Sequence, residues 1–160
     1  MFSWGANSYG QLGSGQCNDT PVPTKVAVSK DCSRDIIFIS GGGGHTLALL
    51  ENGTLLVCGS NEKGQLGIGS TENVSVLTPV KDMEGEIISK AVGGWDFTLI
   101  LNEKGQMFVT GSNHFNQLGL PDLNEKFITR PIKMCLPGNP KVVDIAAGLR
   151  HGVALTEFFR

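Results

Sequence analysis

The stretch Gly59-Ser60-Asn61-Glu62-Lys63-Gly64-Gln65-Leu66-Gly67 is one of three copies of a single pattern in this chain of 160 residues. The other copies are Gly5-Ala6-Asn7-Ser8-Tyr9-Gly10-Gln11-Leu12-Gly13 and Gly111-Ser112-Asn113-His114-Phe115-Asn116-Gln117-Leu118-Gly119. Successive copies begin 54 and then 52 residues apart. Self-similarity at a period of 20 to about 50 residues is typical of repeat architectures. The sequence therefore predicts a fold built from one repeated unit.

A second pattern recurs with the same period. It runs Gly41-Gly42-Gly43-Gly44-His45-Thr46-Leu47, then Gly93-Gly94-Trp95-Asp96-Phe97-Thr98-Leu99, then Ala147-Gly148-Leu149-Arg150-His151-Gly152-Val153. In the first two units a turn with Gly53 or Gly105 follows, and another short apolar run comes after it. This arrangement predicts a β-hairpin in which glycine supplies the positive φ of the turn.

The combination of Gly-x-Asn-x-x-Gly-Gln-Leu-Gly with Gly-x-x-His-Thr-hydrophobic resembles the repeat of the regulator of chromosome condensation family. The resemblance covers nearly the whole chain in three copies. Members of that family fold as β-propellers with four-stranded blades. The resemblance therefore implies an all-β, partial propeller of about three blades, fewer than the four to eight with which propellers close. It also implies a guanine nucleotide exchange factor or a related regulator.

Short apolar runs separated by turn residues predict strands along the whole chain and no helix. A first strand is expected at residues 2–4. The later ones are expected at residues 22–27, 36–40, 46–50, 55–58, 75–80, 87–92, 98–101, 107–110, 128–134, 142–146 and 152–155. The run Ile36-Ile37-Phe38-Ile39 is apolar on both faces, as in a sheet packed between two neighbours. We expect a single repeat domain with units at residues 1–55, 56–107 and 108–160, the last one incomplete.

Charge and composition exclude several classes of partner. The net charge is -2 and no run of lysine and arginine occurs, so neither nucleic acid nor anionic lipid is expected as a partner. No apolar run approaches the length that crosses a membrane, and residues 1–5 do not resemble a secretory leader. The sequence thus predicts a protein of the cytoplasm, with the nucleus as a second compartment.

The remaining motifs indicate structure rather than chemistry. Gly59 to Leu66 has the glycine spacing of a phosphate-binding loop, but Gln65 and Leu66 replace its lysine and hydroxyl residues. The repeated asparagine and glutamine side chains are expected to hydrogen-bond backbone in buried turns. His45, Phe97 and His151 share one repeat position, which favours packing over general base catalysis.

We therefore expect no catalytic residue, no cofactor and no enzymatic chemistry. The cysteines Cys17, Cys32, Cys58 and Cys135 form no C-x-x-C pair, so no metal site is expected either.

One loop position differs between the three units and is the candidate for partner binding. Immediately before the His45 position the units carry Gly44, Asp96 and Arg150, and Trp95 precedes Asp96. Residues that vary on a repeated scaffold are where specific function can reside. In the family that the chain resembles, acidic residues at this position line the face that engages a Ras-like GTPase, and only Asp96 matches them. The alternative is that Trp95 packs between blades and Asp96 caps a turn.

Three functions remain open at this stage. The first is an exchange-factor-like propeller segment that binds a small GTPase, and the second is an interaction scaffold without exchange activity. A light sensor of the same fold would need clustered tryptophans, and only Trp4 and Trp95 are present.

The count of three units also predicts a fragment or shortened isoform. Phe159 stands where Gly53 and Gly105 make the turn in the other units. Open blade faces are expected to promote self-association.

Overall fold

The computed structural model describes residues 1–27 and 35–157, and twelve strands account for most of its regular structure. The only helical element in these ranges is a single 3-10 turn, Lys81–Met83, which the sequence did not predict. Each predicted strand is present within about two residues of its expected bounds. Cys32 and Phe159 lie outside the described residues. The strands are β1 (Phe2–Gly5), β2 (Thr20–Lys25), β3 (Ile36–Gly41), β4 (His45–Leu50), β5 (Leu55–Gly59), β6 (Val74–Pro79), β7 (Ile88–Gly93), β8 (Phe97–Asn102), β9 (Met107–Ser112), β10 (Phe127–Met134), β11 (Val142–Ala147) and β12 (Gly152–Thr156).

The strands form four antiparallel sheets. Sheet 1 contains β1 and β2, sheet 2 contains β3 to β6, sheet 3 contains β7 to β10, and sheet 4 contains β11 and β12. Sheets 2 and 3 have their strands in sequence order, as in propeller blades. The all-β class and the four-stranded sheets are confirmed. Twelve strands amount to three blades, although only two blades are complete within the described residues.

The sheets are out of phase with the sequence repeats. Residues 56–107 contain β6 of sheet 2 together with β7 and β8 of sheet 3, while β5 begins one residue earlier. Each predicted repeat unit therefore supplies strands to two neighbouring sheets. This sharing ties successive sheets together covalently, and neither of the two complete sheets is made by one unit alone.

Apolar side chains fill the spaces between successive sheets. One cluster lies between sheets 2 and 3 and includes Leu47, Val57 and Ile100. A second lies between sheets 3 and 4 and includes Leu99 and Ile145. A third cluster on sheet 2 also contacts Met1, which precedes β1. Alternation along each strand sends successive side chains to opposite clusters, which explains the continuous apolar runs of β4, β5 and β8.

The nine-residue pattern forms a buried turn that opens the connection after β1, β5 and β9. In the second copy, Asn61 Oδ1 accepts from the amide of Leu66 at 3.0 Å, and Asn61 Nδ2 donates to the carbonyl of Ser70 at 2.9 Å. Asn7 makes the equivalent bonds to Leu12 and to two carbonyls. The asparagine side chain thus pairs backbone groups that the turn would otherwise bury unpaired.

The second glycine of the pattern lies against the next sheet. At Gly10 a Cβ would lie 2.5 Å from Ser75 Cα of β6, and φ is +80°. In the third copy Asn116 occupies this position with φ of 57°, a conformation that asparagine tolerates. No described strand lies against Asn116 in the way that β6 lies against Gly10.

A threonine hydroxyl joins each of the first two turns to the following sheet. Thr46 Oγ1 of sheet 2 donates to the carbonyl of Gln11 at 2.7 Å, and Thr98 Oγ1 of sheet 3 donates to the carbonyl of Gln65 at 2.7 Å. The third unit has Gly152 at the same position and lacks this bond. The contact between sheets 3 and 4 therefore depends more on apolar packing.

The expectation that residues 36–39 are covered on both faces is wrong. Ile39 is 57% exposed, whereas Ala91 and Ile145, which hold the same pairing position in β7 and β11, are 1% and 2% exposed. The physical reason is that sheet 1 contains two strands, whereas sheets 2 and 3 contain four. Met1 and the turn after β1 contact β5 and β6, and no described strand covers the outer face of β3.

Candidate functional site

Three loops that follow β3, β7 and β11 lie side by side at one end of the molecule. The amide of Gly43 donates to the carbonyls of Gly94 and Trp95 at 3.0 and 3.1 Å. The amide of Trp95 donates to the carbonyl of Leu149 at 3.0 Å. The candidate residues Gly44, Trp95, Asp96 and Arg150 are therefore held on one surface by backbone hydrogen bonds. We call it the loop face.

In each of these loops a glycine leaves room for the side-chain ring of the residue three positions later. A Cβ on Gly42 would collide with the ring of His45, and a Cβ on Gly94 would collide with the ring of Phe97. Gly148 is placed in the same way under the ring of His151. This repeated contact fixes the path of each loop and hence the direction in which the residues before the ring project.

Side chains from the nine-residue turns complete the loop face. A Cβ on Gly44 would lie 3.1 Å from the Tyr9 ring, so that ring covers the first loop. A shallow cavity of about 150 Å³ separates Tyr9 from Trp95, and Glu62, Lys63 and Asp96 are among its lining residues. The cavity is small and open to solvent, which suits a surface contact with another protein better than enclosure of a small ligand.

Trp95 is 53% exposed, and one side of its indole ring contacts the loop that contains Gly43. The alternative that it packs between blades accounts for one flank of the ring only. A half-exposed tryptophan is typical of protein interfaces, where tryptophan, tyrosine and arginine side chains contribute most of the binding energy.

Asp96 is partly buried and oriented by its neighbours. Gln117 Nε2 donates to Asp96 Oδ1 at 3.3 Å, and the Asp96 carbonyl accepts from the amide of Ser112 at 2.9 Å. One carboxylate oxygen is engaged weakly, since 3.3 Å is a long hydrogen bond. The side chain therefore keeps acceptor capacity for a partner's donor.

Arg150 contacts the third turn instead of Asp96. Its guanidinium carbon lies 4.2 Å from the centre of the Phe115 ring, within the range of a cation–π contact. His114 packs edge-on against the same ring, with centroids 4.9 Å apart. Arg150 is exposed, so the loop face carries charges of both signs and no single strong potential.

His45 is buried, whereas Arg150 is exposed. Burial lowers the pKa of His45 to about 4, and His45 Nε2 lies 3.0 Å from Thr98 Oγ1. His151, at the same repeat position, is exposed, because no described sheet packs on the outer side of sheet 4. At this repeat position His45 and Phe97 are thus buried, whereas His151 is exposed.

Sequence reasoning missed the contribution of the turns to this surface. Tyr9, Lys63 and Phe115 occupy the fifth position of the nine-residue pattern and all lie at the loop face. Their signal was present in the sequence, since this position differs in every copy while the asparagine two residues before it and the Gln-Leu-Gly after it repeat. It was overlooked because the turn was interpreted as structural throughout.

Other chemistry has little support in the described part of the chain. Residues 1–27 and 35–157 contain no group of three His, Cys, Asp or Glu side chains that could hold a metal ion. Burial raises the pKa of the Cys58 thiol to about 12, which keeps it protonated and unreactive. Within the same ranges, no helix has the length and hydropathy required to span a membrane.

Sequence comparison identifies the repeat. The family described as regulator of chromosome condensation (RCC1) repeat matches the chain at residues 1–49, 52–101 and 104–155. A second description of the same repeat matches residues 36–65 and 88–117. These matches together include most of the chain.

Two curated relatives are similar over nearly the full chain. The secretion-regulating guanine nucleotide exchange factor of Mus musculus is 46% identical over 157 residues, and that of Bos taurus is 47% identical over 158 residues. In both comparisons 98% of this chain is aligned with 33% of the relative. The chain thus spans about a third of the length of the curated relatives that it matches.

The fold is also similar to a solved propeller. The crystal structure of Prp20p from Saccharomyces cerevisiae superposes with a TM-score of 0.85 at 20% sequence identity, covering 96% of this chain and 38% of Prp20p. At this identity the similarity supports the fold, and it agrees with an arc that forms part of a larger propeller.

Proposed function

Because the chain belongs to the regulator of chromosome condensation (RCC1) repeat family, we propose that it is an exchange-factor-like propeller segment that binds a Ras-like small GTPase through the loop face. Trp95 and Asp96 are the central contacts in this proposal. Tyr9, Lys63 and Arg150 lie around them. A role linked to secretion, exercised in the cytoplasm or the nucleus, is part of the same proposal.

The observation that carries the proposal is the similarity to two secretion-regulating guanine nucleotide exchange factors at 46% and 47% identity. The loop face supports it, because a half-exposed tryptophan stands beside a carboxylate with free acceptor capacity. In this family's pattern an acidic residue at the Asp96 position faces the GTPase.

Exchange by such a surface requires no proton transfer and no nucleophile. A protein that binds the nucleotide-free GTPase more tightly than the loaded form lowers the affinity of the GTPase for its nucleotide by the same factor. The free energy comes from contacts that are better in the nucleotide-free state. An aromatic anchor and a carboxylate that receives a donor from the GTPase are sufficient parts for this mechanism.

A scaffold without exchange activity is the second candidate, and one observation favours it. Of the three equivalent loop positions only Asp96 is acidic, since Gly44 has no side chain and Arg150 is turned onto the Phe115 ring. A surface with one acidic position can bind a partner without distinguishing its nucleotide states.

Release of fluorescent GDP from a panel of small GTPases tests the proposal directly. We expect accelerated release from at least one member. We also expect Trp95→Ala and Asp96→Asn to weaken binding of that member about tenfold or more, as loss of a central interface side chain does. Ile87→Ala is the matched control, because Ile87 is also exposed but lies before β7, at the end remote from the loop face.

Each outcome decides between the candidates. Binding to a GTPase without acceleration of GDP release for any member would support the scaffold and exclude exchange. Binding that is as sensitive to Ile87→Ala as to Trp95→Ala would show that the loop face is not the contact surface.

A further inference from the structure

The fifth residue of each nine-residue turn is held in the same way. The backbone amides of Tyr9, Lys63 and Phe115 each donate to Oε1 of the glutamine two residues later, at 3.0, 2.9 and 2.8 Å. The three side chains therefore start from equivalent points of the loop face. What differs between them is their chemistry and not the path of the backbone.

Each of these side chains belongs with the variable residue of one loop. The three pairs are Tyr9 with Gly44, Lys63 with Asp96, and Phe115 with Arg150. In the first pair a Cβ on the glycine would lie 3.1 Å from the tyrosine ring, and in the third the guanidinium carbon lies 4.2 Å from the centre of the phenylalanine ring. In the second pair both residues line one cavity.

The third pair shows which contact this arrangement can hold. Arg150 places a cation over the aromatic ring of Phe115, although both residues are exposed. The first pair contains the same type of ring, since Tyr9 is 41% exposed, but Gly44 has no side chain to cover it. The ring of the first pair is therefore available to a cation from another molecule.

A cavity beside this ring has a second aromatic wall. Tyr9 and Trp95 both line it, and its volume of about 150 Å³ is well below the roughly 300 to 1,000 Å³ of ordinary small-molecule sites. A Cβ on Gly43 would lie 2.7 Å from the Trp95 ring, and Gly44 is close to the Tyr9 ring. Glycine at both positions lets the two rings lie against the same loop. The space between them suits one side chain of a partner.

Charged residues give the cavity a sign. Glu62 and Asp96 contribute two carboxylates to its lining, and Lys63 contributes one ammonium group. The surplus of negative charge favours a cation, and the aromatic rings favour a cation as well. Two independent features of the cavity thus select the same class of ligand.

The wall that carries these charges is fixed in place. Gln65 is buried, its Oε1 accepts from the Lys63 amide at 2.9 Å, and its Nε2 donates to Ser60 Oγ at 3.1 Å. Ser60 and Gln65 both line the cavity. A site that is already ordered loses little conformational freedom when a ligand enters, which favours binding.

We propose that this cavity binds one basic side chain of the partner protein, an arginine in preference to a lysine. The inference rests on the proposed role of the loop face in partner binding. Arginine is preferred because its planar guanidinium group stacks on aromatic faces and pairs with carboxylates through two hydrogen bonds. Tyr9 and Trp95 contact the guanidinium plane, and Glu62 and Asp96 accept its hydrogen bonds.

Titration of the full chain with amino-acid amides tests the cavity without a protein partner. Trp4→Phe leaves Trp95 as the only tryptophan, and Trp4 is exposed, so the fold should tolerate the change. We expect Nα-acetylarginine amide to change the Trp95 fluorescence and to saturate in the millimolar range, as contact through a single side chain implies. Nα-acetyllysine amide should bind more weakly. Nα-acetylcitrulline amide has the shape of arginine without its charge and should give no saturable change.

Substitution of Tyr9 separates the ring from the rest of the site. Tyr9→Leu should weaken binding of the arginine amide about two- to fivefold, the range of a cation–π contact at an exposed position. Tyr9→Phe retains the ring and should bind as the parent does. Tyr9 is exposed, so neither change should disturb folding.

Neighbouring charges in one turn should act with opposite signs. Glu62→Gln should weaken binding of the arginine amide about twofold, and Lys63→Gln should tighten it by a similar factor, as expected for exposed charges. A merely structural effect on the turn would weaken binding in both variants. Glu51→Gln is the matched control, because Glu51 is exposed and follows β4 at the end remote from the loop face.

The cavity and the proposed GTPase contact can fail separately. Binding of the arginine amide without binding of any small GTPase would support the cation site and exclude the GTPase. Binding of a GTPase with no saturable response to the arginine amide, or with an equal response to the citrulline amide, would support the loop face and overturn the cation site. Tighter binding of Nα-acetylglutamate amide than of the arginine amide would overturn it as well.

Discussion

Among single residues, His45 has the most unusual environment. The Thr98 hydroxyl has one hydrogen, which it donates to the carbonyl of Gln65, so His45 must donate to Thr98 from Nε2. His45 Nδ1 is then the unprotonated nitrogen, and it has no hydrogen-bond partner among the described residues. Protonation would place a charge at this dry site, which explains why burial lowers the pKa of His45 to about 4.

The pKa of His45 predicts how stability depends on pH. Unfolding returns this pKa from about 4 to 6.5, so between these values the unfolded chain binds a proton that the folded chain does not. The free energy of unfolding should fall by about 3 kcal/mol as the pH decreases from 6.5 to 4, and His45 should add no further loss below that. Urea titrations across this range measure it.

His45→Phe is the matched control for this prediction. Phe97 fills the same repeat position in sheet 3, and the substitution leaves Thr98 able to donate to Gln65. The two proteins contain the same carboxylates. The difference between their slopes of unfolding free energy against pH therefore reports the contribution of His45. Equal slopes would contradict the assigned burial of the imidazole.

The turn asparagines should contribute unequally to stability. Asn61→Ala removes bonds to Leu66 and Ser70 and leaves their backbone groups buried without partners, which should cost about 2 to 4 kcal/mol. Asn113→Ala removes one side-chain bond, to Leu118 at 3.2 Å, and should cost about half as much. Equilibrium denaturation of the two variants tests the order, and a larger loss at Asn113 would contradict it.

At the level of elements, the threonine that joins a turn to the next sheet determines how firmly sheets are attached. Thr98→Val leaves both the Gln65 carbonyl and His45 Nε2 without a partner. Thr46→Val affects the Gln11 carbonyl alone. We expect losses of about 2 to 3 kcal/mol and about 1 kcal/mol respectively, since unpaired buried groups carry most of the cost.

The third unit provides the reverse experiment for this element. Gly152→Thr restores the hydroxyl but places a Cβ 2.9 Å from Leu99 Cδ1, so Leu99 must shift and we expect a smaller gain than Thr98→Val loses. Thermal denaturation of the three variants measures the effect. If Thr98→Val destabilised the protein no more than Thr46→Val does, the hydrogen bond between Thr98 and His45 would contribute nothing to stability.

Strand positions could be predicted from sequence to within about two residues. Apolar runs bounded by glycine, proline and asparagine encode each strand locally, so no tertiary information was needed. The 3-10 turn at Lys81–Met83 could not be predicted, because it has one turn and no repeat counterpart. The exposure of Ile37 and Ile39 was also inaccessible, since it depends on which other strands cover β3.

For the whole molecule, hydrogen exchange should rank the four sheets. Amides of β4, β5, β8 and β9 lie in complete sheets with packed neighbours on both sides and should exchange most slowly. Amides of β1, β2 and β12 should exchange faster, because fewer apolar contacts must open.

Hydrogen exchange detected by mass spectrometry measures this ranking without any mutation. Uniform protection across all twelve described strands would contradict the division into complete and half blades.

The sequence by itself determined the class of fold, the strands, the family and the position of Asp96 in a variable loop. It could do so because turn chemistry and apolar alternation act over a few residues, and the period of the repeat makes them visible. Only the tertiary structure decided that Tyr9, Trp95 and Phe115 lie on one surface and that His45 is buried while His151 is exposed. These properties depend on which sheet packs against which, and the sheets are out of phase with the repeats that encode them.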